Sequence, residues 1–336
     1  MEIDHNFYMS LAINEAWKYQ GLTYPNPAVG CTVRGEHGEI LAVESHHKAG
    51  EPHAEVNALK SAYYKLTQNK AILKLHDSEK IHSFLLKNHK NIFKNCSLYS
   101  TLEPCSHVGK TPSCANLIAQ LGIQNIYIGT EDINAVAAKG NELLVNSGLH
   151  VSLHVEKKRC EDLLFPFLQF INERFVFFKW AQRLNGTTDG GIVSSEASRK
   201  NVHAMRNVCD LLVIGGNTVR SDRPTLDARL VNGKAPDILI LSREKDFDRT
   251  IPLFSVPNRK VTIASDFSVL KNYKNIMIEG SEKMYGLSRD ITDYYLCYLA
   301  PGFGGKEGFG NIEDKFDILN AGKEAEDIIL WMKRRI

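Results

Sequence analysis

In "MEIDHNFYMSLAINEAWKYQ" the apolar positions recur at helical spacing, which predicts an opening amphipathic helix rather than the unbroken apolar core of a signal peptide. Val29–Val33 and Glu39–Ser45 read as short strands on either side of the turn "GEHG", together a hairpin. "HAEVNALKSAYYK" carries Val56, Leu59 and Tyr63 at helical spacing, so a helix is expected to start near His53. Strand "CSLYSTL", helix "CANLIAQLG" and strand "NIYIG" follow, and "GNELLVNSGLHVSLHV" adds another helix and strand. "EDLLFPFLQFINERF" reads as a closing helix interrupted by Pro166. Alternating helices and strands are the signature of an α/β unit, here residues 1–172.

The pattern then begins again, so a second α/β domain is expected over 173–336. Strand "FVFFKWA" leads to the helix in "SSEASRKNVHAMRNVCD", with Ser194 or Ser195 as its N-cap. "LLVIGG" is a strand running into glycines, and "DILILS", "KVTIAS", "NIMIEG" and "YYLCYLAP" are further strands. Residues 64–95 fit neither half. They hold seven lysines and three histidines against Asp77 and Glu79, with one helix near "IHSFLLKNH", and read as a basic surface insertion.

Composition changes this picture little. A chain of 336 residues is comfortable for two domains. A net charge of +2 gives no field for nucleic acid or an anionic membrane, and no apolar run approaches the ~20 residues of a membrane helix. The seven cysteines are odd in number and dispersed, which with no export signal points to a reducing cytoplasm. Cys31, Cys96, Cys160, Cys209 and Cys297 read as small buried hydrophobes.

Cys105 and Cys114 do not. Together with His53 they supply the three protein ligands of a catalytic zinc, whose fourth position stays open. The order H-x-E…P-C…C is that of zinc-dependent nucleobase deaminases, in which the glutamate, here Glu55, carries protons and is not a ligand. Cys114 opens a predicted helix, where the positive end of the dipole favours the thiolate. A closed structural zinc site would need a fourth ligand, and His107 is the nearest candidate. In the second half no G-x-G-x-x-G occurs. A strand ending at Gly215–Gly216 would let backbone approach a ligand, and Arg206 and Arg229 could each fork onto a phosphate.

Eight residues separate the two cysteines, where nucleobase deaminases usually have two. "YPNPAVGC", "GEPHAEVNAL" and "TLEPCSHVGKTPSC" resemble the deaminase half of the bifunctional deaminase/reductase of riboflavin biosynthesis. "FFKWAQRLNG", "SSEASRKNVHAMR", "GGNTVRSDRPTLDAR" and "MIEGS" resemble, in order, its reductase half. The resemblance implies a cytidine-deaminase-like three-layer α/β/α domain followed by a dihydrofolate-reductase-like α/β domain. It implies hydrolytic deamination of 2,5-diamino-6-ribosylamino-pyrimidinone 5′-phosphate, then NADPH-dependent reduction of the ribosyl group to a ribityl chain. By position, Asn26, His46, Lys110, Asp132 and Asn134 would meet the deaminase substrate. Lys179, Ser194, Arg206, Arg229 and Glu279 would meet the reductase substrate, and Gly216, Thr218, Asp222 and Gly280 would line the cofactor. The resemblance also implies a homodimer formed through the reductase domain, for which "YYLCYLAP" would fit as an apolar edge strand.

The chain departs from the family pattern at several positions. Ile133 and Ala135 stand where prolines are usual, Arg183 and Asn185 where Ser and Asp are usual, and Ser281 where a glycine is usual. Three other readings follow from the same residues: a deaminase with a degenerate reductase domain, a tRNA or other nucleic-acid deaminase that uses the basic insertion, and a zinc-stabilised scaffold without catalysis.

Overall fold

The computed structural model describes residues 4–107, 112–132 and 139–335. The chain divides into two compact units, Met1–Phe167 and Leu168–Ile336.

The first unit is built on a five-stranded sheet. In chain order it has α1 (His5–Trp17), β1 (Gly30–Arg34), β2 (Ile40–Ser45), α2 (Ala54–Thr67), α3 (Ser78–Asn88), β3 (Ser97–Leu102), α4 (Cys114–Leu121), β4 (Asn125–Thr130), α5 (Gly140–Asn146), β5 (His150–Leu153) and α6 (Lys157–Asn172). The strand order is β2-β1-β3-β4-β5, with β1 antiparallel to both neighbours and β3, β4 and β5 parallel. All six residues of β3 are buried, as befits a central strand covered on both faces. The parallel strands all point their carboxyl ends the same way, so the loops that follow them gather at one edge of the sheet, where α/β proteins bind ligands.

Two expectations are corrected here. Pro166 does not interrupt its helix, because α6 runs through it. One turn before the proline, the Leu163 carbonyl accepts from the Gln20 side-chain Nε2 at 2.7 Å. Residues 64–95 are also more than a surface insertion. The first of them complete α2, a 3₁₀ turn covers Lys70–Lys74, and α3 follows. Ile72, Ile81, Leu85 and Phe93 are fully buried, so the lysines are the outer face of a packed segment.

The second unit has β6 (Phe175–Arg183), α7 (Glu196–Val208), β7 (Leu211–Gly215), α8 (Gly216–Asp222), β8 (Asp237–Leu241), β9 (Val261–Ala264), β10 (Asn275–Glu279), α9 (Glu282–Ser288), β11 (Tyr294–Ala300), β12 (Phe316–Glu324) and β13 (Asp327–Arg334). They form one sheet in the order β12-β13-β11-β6-β10-β7-β8-β9. The pairs from β11 through β9 are parallel, and β13 and β12 add an antiparallel hairpin. The segment "YYLCYLAP" is therefore not an edge strand: β11 lies between β6 and β13, with Tyr294, Tyr295, Leu296 and Tyr298 fully buried. Its apolar run is that of an interior strand. The sheet ends instead at β12 on one side and β9 on the other.

Candidate active sites

His53 is the N-cap of α2, and Cys114 is the first residue of α4. Cys105 follows the carboxyl end of β3 by way of Glu103 and Pro104. Two helix starts and one strand end thus converge. The Cys105 carbonyl accepts from the Ala115 amide (3.1 Å) and the Ser113 hydroxyl (2.9 Å), which fixes the ligand loop to α4. His53 Nδ1 lies 3.7 Å from Cys105 Sγ and 3.5 Å from Cys114 Sγ. Zinc–sulfur bonds of about 2.3 Å and zinc–nitrogen bonds of about 2.0 Å at tetrahedral angles separate sulfur from nitrogen by roughly 3.5 Å, so the three donors fit zinc. Among the described residues no fourth donor joins them, and His107, the candidate for a closed site, is exposed and outside the group.

The two ligand thiols part company: Cys114 is pushed up by its hydrogen bond to Cys105 and by burial, as buried cysteines elsewhere in the chain are by burial. Burial pushes Cys96 up to about 11, and Cys160 and Cys297 up to about 12. Cys105 moves the other way, drawn down by the hydrogen bond from the Cys114 thiol and by His53 beside it. The Cys114 amide also points at its sulfur, at 3.5 Å.

The ligands border a cavity of about 230 Å³, lined also by Glu55, Asn26, His46, Glu103 and Asp132, with Pro25, Leu102 and Phe167 as apolar walls. Glu55, in the first turn of α2, is 4% exposed, and burial pushes its carboxyl up to about 7. A metal ion beside it would draw that value down. Burial lowers His46 to about 4, so the ring is neutral near pH 7. Nδ1–H then donates to the Pro52 carbonyl (3.1 Å), leaving Nε2 to accept from Asn26 Nδ2 (3.0 Å). This fixes which end of the Asn26 amide His46 occupies and leaves its oxygen as the free acceptor. Of the residues expected here, Asn26, His46, His53, Glu55, Cys105 and Asp132 line one cavity, with Cys114 completing the ligand set. Lys110 and Asn134 lie outside the described residues.

In the second unit Glu279, the last residue of β10, receives Arg206 of α7 through two bonds, Nε–Oε1 at 2.9 Å and Nη2–Oε2 at 3.0 Å. Lys179 is its register partner on β6, with Nζ 3.9 Å from Oε2. Burial opposes the Glu279 charge, but Arg206 and Lys179 outweigh it and hold the carboxyl below its ordinary value. Burial lowers Lys179, whose ammonium also lies 5.7 Å over the Tyr298 ring. Arg206, expected to contact the substrate, is held here by Glu279, and its Nη1 donates to the Asp227 carbonyl at 3.4 Å. Arg229 stands one step outward, paired with the Asp227 carboxylate at 2.6 Å and largely exposed. Ser194 stands at the other end of α7 from Arg206. It precedes the N-cap of α7 while Arg206 lies in the last turn, about 16 Å along the helix.

Gly216 and Gly280 follow the carboxyl ends of the adjacent parallel strands β7 and β10. A Cβ on Gly280 would stand 2.4 Å from Met284 Cβ, and one on Gly216 would stand 2.7 Å from Ser242 Cβ. Thr218 and Asp222 lie on the short helix that Gly216 opens. Ser281 caps α9 with φ −113°, a conformation open to any residue, so the serine adds no strain. Arg183 and Asn185 have structural partners. Arg183 donates to the carbonyls of Asp189 (2.6 Å) and Gly190, and Asn185 to that of Gly304 (2.9 Å). The Asp189 carboxylate accepts from the amides of Lys306 and Glu307. These bonds tie the loop after β6 to the loop after β11.

Sequence reasoning missed Glu103, which lines the first cavity. The available signal was an acidic residue two before a metal ligand in "TLEPC".

Comparison with known proteins agrees with this geometry. Residues 2–130 match the cytidine and deoxycytidylate deaminase zinc-binding region, and residues 174–315 match the RibD C-terminal domain. The chain is 31% identical to the riboflavin biosynthesis protein RibD of Aquifex aeolicus over 381 aligned positions, covering 99% of each. It is 34% identical to RibD of Bacillus amyloliquefaciens over 255 positions, 73% of this chain and 60% of that protein. A crystal structure from Thermotoga maritima, described as a diaminohydroxyphosphoribosylaminopyrimidine deaminase/5-amino-6-(5-phosphoribosylamino)uracil reductase, superposes with a TM-score of 0.65 at 27% identity over 98% of both chains. A zinc-type deaminase unit and a RibD-type reductase unit occur here in one chain and in that order, and the chain belongs to the RibD family of bifunctional riboflavin-biosynthesis deaminase/reductases.

Proposed function

We propose that this chain hydrolyses the ring amino group of 2,5-diamino-6-(5-phosphoribosylamino)pyrimidin-4-one and then reduces the ribosyl group of the product with NADPH. The observation that carries the first step is the His53–Cys105–Cys114 group beside buried Glu55 in one cavity. Zinc held there supplies a Lewis-acid charge that makes water a nucleophile near neutral pH. Glu55 takes one proton from the attacking water and gives it to the ring nitrogen, then carries the second, from the hydroxyl now on carbon, to the departing amine, so that water is consumed and ammonia released. Asn26, oriented by neutral His46, offers its amide oxygen to the ring, and Asp132 meets the ribose phosphate part. Lys110 and Asn134 are assigned to the same substrate from the resemblance alone.

For the second step NADPH supplies the hydride and the protein positions it. Lys179, Glu279 and Arg206 form a buried group with one net positive charge at the ends of β6 and β10, suited to an anionic substrate. Arg229, exposed beside it, is the better candidate for the phosphate. Gly216 and Gly280 follow the carboxyl ends of two adjacent parallel strands, the edge where an α/β sheet takes its cofactor, with Thr218 and Asp222 on the helix that Gly216 opens. The engagement of Arg183 and Asn185 in loop fastening, and the relaxed Ser281, favour a working domain over a degenerate one. The packed 64–95 segment and the net charge of +2 speak against a nucleic-acid substrate. The zinc-stabilised scaffold, for its part, leaves buried Glu55 without a task. No helix among the described residues is long and apolar enough to cross a membrane. We assign the protein to the cytoplasm, and self-association to the reductase unit, where the edge strand β12 leaves Ile318 63% exposed.

Purified protein supplied with the diaminopyrimidinone nucleotide should release ammonia without NADPH, and on adding NADPH should yield the ribitylamino product by mass spectrometry. Ammonia release with no consumption of NADPH would leave only the deaminase.

A further inference from the structure

We propose that Glu103 is a positioning residue for deamination, whose carboxylate holds Asp132 and the start of α5 in fixed relation to the zinc ligand Cys105. The inference rests on the deaminase reading above.

Glu103 stands between β3 and Cys105 in "LEPC" and is 6% exposed. Its amide donates to the Thr130 carbonyl at 2.9 Å, joining it to the end of β4. Its side chain spans two further segments. Oε2 accepts from the Asp132 amide at 3.0 Å, and Oε1 accepts from the Asn141 amide at 2.8 Å. The backbone of Glu103 thus belongs to the ligand loop, while its carboxylate belongs to the segments that carry Asp132 and begin α5. A buried carboxylate is costly unless its oxygens are satisfied. Among the described residues no Lys or Arg forms an ion pair with it, so backbone N–H groups do this work.

An independent contact fixes the same juxtaposition. Gly140 opens α5 against the ligand loop so closely that a Cβ there would stand 1.7 Å from the Pro104 carbonyl oxygen. Glu103 and Asp132 both line the cavity that holds Glu55 and His53. The Glu103 carboxylate and the Gly140–Pro104 contact thus hold the Asp132 segment and α5 against the loop that carries Cys105.

Glutamine is the discriminating replacement. It keeps the shape but offers one acceptor oxygen, and its NH₂ group would face a backbone N–H. Losing one charge-assisted bond in Glu103→Gln should raise KM for the diaminopyrimidinone nucleotide about ten-fold or more, with a smaller fall in kcat. Zinc content and NADPH-dependent reduction should stay at wild-type values. Hydrogen exchange at the Asp132 and Asn141 amides should quicken. Gly140→Ala, which leaves Glu103 intact and pushes α5 off Pro104, should raise KM in the same direction. An unchanged KM in both variants, or loss of zinc in step with activity, would overturn the positioning role and make Glu103 part of ligand construction. A wild-type protein that releases no ammonia from this substrate would overturn the deaminase reading beneath it.

Discussion

The first site gathers Glu55, Cys105 and Cys114 around His53, while the second gathers Lys179 and Arg206 around Glu279. In the first, a carboxyl and two thiols stand around a single imidazole, His53, which draws Cys105 down but leaves the acidic groups in excess. In the second, a carboxylate meets two cations inside the protein, and the excess is positive. A buried group of one sign is tolerated only with a partner of the other. The first arrangement therefore needs a metal ion to be complete, and the second is complete without one and left with a charge suited to an anionic ligand. The same rule, applied to two sets of side chains, separates a hydrolytic site from a hydride-transfer site.

The largest expected effects test the first half of that contrast. Cys114→Ser should lose zinc and deamination together, because a thiolate ligand is gone. Glu55→Gln should keep stoichiometric zinc and lose about 10²- to 10⁴-fold in kcat, because only the proton carrier is gone. Metal analysis beside an ammonia-release assay separates the two. A Glu55→Gln protein with full zinc and a near-normal rate would remove the proton-carrier role.

The second half is tested by Arg206→Ala. Glu279 would remain buried with only Lys179 at 3.9 Å. Breaking such a pair should cost the reductase unit about 3–5 kcal/mol, seen as an earlier denaturant transition, with reduction lost. Glu279→Gln, which leaves Lys179 and Arg206 without their carboxylate, should destabilise the same unit, again with reduction lost. Ammonia release should be unchanged in both. A stable Arg206→Ala protein impaired only in substrate KM would give Arg206 the phosphate-anchoring role instead.

This contrast was unevenly legible in the sequence. His53, Glu55, Cys105 and Cys114 stand out because their spacing reflects two helix starts and a strand end, which local pattern shows. The residues of the second ion group stand out singly but their pairing does not, because Arg206 meets a partner 73 positions away and nothing local marks it as paired. "YYLCYLAP" suggests an edge in the sequence because nothing within it signals the hairpin that pairs with it. β12, "FDILNAGKE", has mixed polarity and lies half-exposed at the rim, so it lacks the apolar run of a buried strand. The 64–95 segment hid its core the same way: Ile72, Ile81, Leu85 and Phe93 are sparse among lysines, yet all four are buried.

The smallest effect sharpens the comparison within the second unit, where two carboxylates are shielded differently. Glu279 has two cations and is held below its ordinary value. Asp293, just before β11, accepts from the Val176 amide at 2.8 Å, and burial pushes it up to about 6, with Arg174 and Lys333 offsetting this only in part. Its unfolded value is about 3.9. Between those values the folded state holds the proton more tightly, so the stability it contributes is full below about pH 4 and is lost as pH rises through about 6. Asp293→Asn keeps an acceptor for Val176 and carries no charge at any pH. Its melting temperature should match wild type near pH 4 and exceed it above pH 7, by about 2–4 °C for each kcal/mol recovered. Scans of both proteins at the two pH values give the difference directly, free of the other groups that titrate in both. An equal gap at the two pH values would mean that Asp293 is already ionised in the fold at low pH, shielded by Arg174 and Lys333 as Glu279 is by its own two cations.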